Sequence, residues 1–66
     1  MSRVIRVNYK LVMYASNKGV TQEEIAKEWS LPISAFHRMM ADPLSEIDQM
    51  KYREIVDRIV ESREQR

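Results

Sequence analysis

Apolar side chains recur at three-to-four-residue spacing in four stretches of this chain, and turn-forming residues separate the stretches. From Asn8 to Asn17 the pattern predicts a helix with Leu11, Val12, Tyr14 and Ala15 on one side. Asn8 suits its N-cap, and Gly19, the only glycine in the sequence, suits the left-handed residue that ends such a helix. Next comes Thr21-Gln22-Glu23-Glu24, which has capping-box spacing and opens a helix from Gln22 to about Trp29. Ile25, Ala26 and Trp29 would face inward there, with Glu23, Lys27 and Glu28 in water. Ser30-Leu31-Pro32 breaks the pattern, because a residue before proline is pushed out of the α region while proline itself fits a first helical turn. A third helix restarts at Pro32 or Ser34 and runs to about Met40, carrying Phe36, Met39 and Met40. After Asp42-Pro43, Ser45 and Asp48 give a second capping signal. The longest helix follows, from about Glu46 to Ser62, with Ile47, Met50, Ile55, Val56, Ile59 and Val60 read as one apolar stripe. Residues Arg63 to Arg66 are expected to fray.

Ahead of the first helix, Val4, Ile5 and Val7 suit an extended backbone, so residues 1–7 read as a short strand or an arm. The expected fold is therefore all-α: one compact four-helix domain over 1–66, with a helix-turn-helix at 21–41 and a C-terminal helix at 45–62.

Length limits what this fold can do. A chain of 66 residues buries too little apolar surface to be robust without help, and an added chain is the help to look for. There is no cysteine, and His37 stands alone, so no disulfide framework or metal centre is expected. No run approaches the ~20 apolar residues that cross a bilayer, and the first residues lack the apolar stretch of a secretory signal, which points to a cytoplasmic protein without membrane attachment. The formal net charge is +1, but its distribution is uneven. Arg3, Arg6, Lys10 and Lys18 occupy the first 20 residues with no acid among them, whereas Asp42, Glu46 and Asp48 make the stretch from Asp42 to Met50 purely acidic.

Two short helices joined by a tight turn, the first with alanine at its centre and the second with a polar leading edge, describe the helix-turn-helix. The segment Val20-Thr-Gln-Glu-Glu-Ile-Ala-Lys-Glu-Trp-Ser-Leu-Pro-Ile-Ser-Ala-Phe-His-Arg-Met-Met resembles the DNA-binding motif of the phage repressor and Cro family over about a third of the chain. Ser30 stands where that family has a turn glycine, and Trp29 is larger than the family's usual leucine or alanine. The resemblance implies that Gln22 contacts phosphate and braces the recognition helix, and that Ala26 lets the two helices cross closely. It also implies that Ser34, His37 and Arg38 face the major groove, with Ile33 at a leading position that is usually polar.

The leading expectation is a sequence-specific transcriptional regulator of phage or mobile-element type that binds double-stranded DNA. Ile33, Ser34, His37 and Arg38 would read the groove, while Gln22, Lys10, Lys18, Arg3 and Arg6 would sit on the backbone. Arg38 is the strongest contact candidate, since its forked guanidinium grips guanine or phosphate. A homodimer through Tyr52, Ile55, Val56, Ile59 and Val60 would double the contacts, although the same helix would also serve simply to close a monomeric bundle. The competing expectation is a protein-interaction module, an anti-repressor or adaptor on the same scaffold. Neither reading calls for a cofactor or a small-molecule substrate. No activated nucleophile, acid–base pair or phosphate-binding glycine loop points to an enzyme.

Overall fold

The computed structural model describes residues 8–64, and among them the chain forms four helices and no strand: α1 (Tyr9–Asn17), α2 (Gln22–Glu28), α3 (Ile33–Met40) and α4 (Glu46–Glu64). The expected strand or arm at residues 1–7, with Arg3 and Arg6, lies outside the described residues, as do 65–66. None of the described helices is long and apolar enough to cross a membrane.

Each helix boundary has a local cause. At α1's end, Gly19 takes φ +73°, its amide donates to the Ser16 carbonyl at 3.0 Å and the Val20 amide donates to Ala15 at 2.9 Å, the paired bonds of a Schellman cap. The same device recurs at the end of α2, where Ser30 adopts φ 62°, the Ser30 amide donates to Lys27 at 3.0 Å and the Leu31 amide to Ala26 at 2.9 Å. Ser30 thus adopts the left-handed conformation that glycine ordinarily supplies at such a cap, while carrying a Cβ. The capping box of α2 is complete: the Thr21 hydroxyl accepts from the Glu24 amide at 3.2 Å and the Glu24 carboxylate accepts from the Thr21 amide at 2.9 Å. Ser45 caps α4 by accepting from the Asp48 amide at 3.2 Å.

The core is assembled from all four helices and two of the connections. Leu11 and Ala15 of α1, Ile25 and Ala26 of α2, and Phe36 and Met40 of α3 converge on α4, with Val20 and Leu44 filling the corners. Tyr52 lies at the centre, fully buried, its ring stacked with that of Phe36 at a centroid distance of 6.4 Å. Ala26 is buried in the core, so a larger side chain there would displace its neighbours. Trp29 is half-buried at the rim and not the core residue expected from its spacing. Its ring packs on Phe36 at 6.2 Å, and the Lys51 ammonium lies 5.3 Å from its centroid.

Three expectations about α4 need correction. The stripe does not bury as one face: Ile55, Val56 and Ile59 are inside, but Ile47 is 77% and Met50 62% exposed. Tyr52, Ile55, Val56 and Ile59, expected at a dimer interface, are spent on the protein's own core, and Val60 packs against that core. Offering them to a partner would open the monomer. Arg63 is not frayed either, since α4 continues to Glu64 and the Arg63 guanidinium donates to the Gly19 carbonyl at 2.9 Å and to the Glu24 carboxylate. It joins the end of α4 to the corner between α1 and α2.

Candidate nucleic-acid interface

α2 and α3 are joined by the four residues Trp29 to Pro32, and the core anchors α3 by one side through Phe36 and Met40. Ser34, His37 and Arg38 are exposed and share one helix face at i, i+3 and i+4 spacing, while Ile33 lies at the boundary between that face and the anchored side, in register with Phe36 and Met40. No acidic residue occurs between Ile33 and Ala41. Pro32 is the N-cap, extended at φ −60°, ψ 148°, and no side chain caps the α3 amino end, so Ser34 stands as an exposed residue of the first turn. Ile33 is 39% exposed, an apolar side chain at the leading edge of an otherwise polar face.

What fixes α3 against the rest of the protein is Asn8, a residue whose role local sequence does not announce. It occupies the N-cap position of α1 yet makes no cap bond. Instead its side-chain amide, in a residue only 6% exposed, donates to the Met40 carbonyl at 2.7 Å and the Asp42 carbonyl at 3.0 Å, and its oxygen accepts from the Leu44 amide at 3.3 Å. These bonds satisfy carbonyls that the end of α3 would otherwise leave without partners. They also bring the first turn of α1, with exposed Lys10, to the carboxyl end of α3.

The other expected contacts divide. Gln22 opens α2, but its amide is engaged by Tyr52, whose hydroxyl lies 3.0 Å from Nε2 and 3.2 Å from Oε1. It braces the core through α4, and phosphate would have to compete for it. Burial pushes the Tyr52 hydroxyl above its ordinary value of 10.0, and the bond to Gln22 partly offsets that. Lys18 caps the far end of α1, with its ammonium 3.9 Å from the Asp57 carboxylate and 5.0 Å from the centroid of the Tyr14 ring. The Tyr14 hydroxyl donates to that same Asp57, which raises its pKa. Lys18 is therefore drawn to the α1–α4 edge, about ten residues, or ~15 Å of helix, from the Asn8 bonds that meet α3. The amino end of α2 is likewise taken. Glu24 is held below its ordinary 4.5, first by the Thr21 amide and then by Arg63, and fills the place an external anion would use. Of the expected set, the structure brings together Ile33, Ser34, His37 and Arg38, with Lys10 at one end, and turns Gln22 and Lys18 to internal partners.

No protein-family model, curated protein or solved structure matches this chain.

Proposed function

We propose that this protein is a helix-turn-helix transcriptional regulator that reads double-stranded DNA with α3, of the kind that phages and other mobile elements encode, acting in the cytoplasm without cofactor or catalysis. The observation that carries the reading is the exposed, acid-free face of α3, held rigidly from behind by Phe36, Met40 and the Asn8 bonds. Such a helix fits the major groove, where Ser34, His37 and Arg38 have the donors and acceptors that distinguish base edges and Ile33 has the apolar surface that suits a thymine methyl. Lys10 adds a backbone contact at one end. Specificity then comes from four side chains, and affinity from few phosphate contacts, so binding weakens moderately with salt, by a slope of about −0.9 per phosphate neutralised.

Selection of sites from random duplex DNA, with wild type beside Arg38→Ala at two salt concentrations, tests the reading. A motif recovered by the wild type and relaxed in the variant is the expected outcome. Folded protein that enriches no motif, and shows no salt-sensitive binding, overturns it. The second reading, docking to another regulator or to polymerase through α3, draws on the engagement of Lys18 and Gln22 by internal partners, which thins the set of cations and polar groups available to phosphate. Binding of that kind would be nearly indifferent to salt.

A further inference from the structure

The exposed Ile47 and Met50 belong to a groove of about 380 Å³ along α4, floored by Ile55, edged by Lys51, Glu54 and Arg58, and closed on one wall by Glu28 of α2. At 3.6 residues per turn Ile47, Met50, Lys51, Glu54 and Arg58 share the side of the helix turned away from Tyr52, Val56 and Ile59, and the buried Ile55 lies at the boundary between the two sides. We propose that a second copy of this chain occupies the groove, its α4 lying antiparallel across a two-fold axis that passes between Tyr52 and Arg53.

The charges on the groove select both the partner and the direction. Reflection about that point sets Lys51 of one copy against Glu54 of the other, twice over. It also lays the aliphatic stem of Arg58 on Ile47 and seats Met50 on the floor made by Ile55. A parallel pairing would oppose Lys51 to Lys51, Glu54 to Glu54 and Arg58 to Arg58, three like-charge contacts. The antiparallel arrangement buries the two most exposed apolar side chains of the described residues and leaves the core residues of α4 undisturbed. Self-complementarity of this kind is what an isologous contact requires. Six α4 residues make a small interface beside the roughly 20–30 per side of a standard one, so the dimer is of micromolar-to-millimolar affinity. It stands independently of what α3 binds.

Sedimentation equilibrium of the full chain over that concentration range is the test, with circular dichroism to verify that each variant, changed only at exposed positions, keeps its helix content. The wild type is expected to show a concentration-dependent dimer and Ile47→Glu to remain monomeric throughout. Lys51→Glu and Glu54→Lys each place like charges at both symmetry-related contacts and weaken self-association about tenfold. An equimolar mixture of these two variants re-forms both opposite-charge pairs across a heterodimer and recovers wild-type association. A wild type monomeric over the whole range overturns the proposal and leaves the groove to a different protein. Undiminished dimerisation of Ile47→Glu, or a mixture no better than its components, overturns it equally.

Discussion

Replacing Ser30 by glycine should make the protein more stable, although it removes a side chain. Ser30 sits at φ 62°, where a Cβ crowds the following carbonyl, and a non-glycine residue there bears a strain of about 1–2 kcal/mol. Both Schellman bonds it supports are made by main-chain amides and survive the substitution. Its hydroxyl is exposed and has no side-chain partner among the described residues, so no hydrogen bond is lost. Against the relief of strain stands the extra freedom of glycine in the unfolded chain, about 0.5–1 kcal/mol. At mid-range values the difference is a net gain of about 0.75 kcal/mol, which in a domain this size raises Tm by roughly 3–6 °C. Thermal and urea unfolding followed by far-ultraviolet circular dichroism measure it directly. Gly19→Ala is the mirror experiment: at φ +73° an added Cβ would meet nothing within 4 Å, so backbone strain of about 1–2 kcal/mol, partly offset by the lost freedom of glycine in the unfolded chain, leaves a net cost somewhat under about 1 kcal/mol. If Ser30→Gly left Tm unchanged or lower while Gly19→Ala proved harmless, the left-handed geometry would not be what terminates these helices.

Other outcomes follow from the same contacts. Asn8→Ala strands two carbonyls and one amide at the α3–α4 corner and should cost about 2–3 kcal/mol, a large share of the stability of so small a domain; a loss under 1 kcal/mol in urea unfolding would show that the corner holds without it. Because the folded-state pKa of Glu24 is lowered, its stabilising contribution is complete above the ordinary value of 4.5 and is lost as pH falls through the lowered one. Glu24→Gln should therefore be less stable than wild type at neutral pH and converge with it on acidification, whereas a Tm difference independent of pH would contradict the assignment. On the proposed reading, replacing a thymine of the selected motif that faces Ile33 by uracil should weaken wild-type binding about fourfold, the worth of one buried methyl, and leave Ile33→Ala unaffected. Equal losses in both proteins would remove Ile33 from the readout.

The all-α fold and most of its helix boundaries were legible because their causes are local; the end of α4, held by Arg63, and the start of α1, where Asn8 makes no cap bond, were not. Side-chain caps and a glycine after a periodic run act within a few residues, and Thr21, Ser45 and Gly19 lie where their chemistry placed them, while Pro32 stands one position ahead of the first turn, as the extended N-cap of α3. The side of α4 that faces out was also written in its periodicity. At 100° per residue, Met50 falls ~170° and Ile47 ~130° from the centre of the face formed by Tyr52, Ile55, Val56 and Ile59, so counting apolar residues as one stripe merged two faces. Three polar contacts had no local signal. Asn8 to Met40, Gln22 to Tyr52 and Arg63 to Gly19 span 32, 30 and 44 residues, and each depends on how helices are set against one another in space. The same holds for the candidate interface: spacing put Ser34, His37 and Arg38 on one face with Ile33 at its edge, but Lys18 and Gln22 found internal partners that only tertiary packing supplies.

The Asn8 side chain also couples two openings that would otherwise be separate. An amide in a short loop, as that of Leu44 is between α3 and α4, ordinarily exchanges with solvent whenever its own segment breathes. Here it is tied to the first residue before α1, so it is released only when that junction parts. Its exchange rate therefore reports on the α1 end of the molecule, 36 residues away in sequence, and any ligand that clamps α1 against α3 should slow an amide that it never touches.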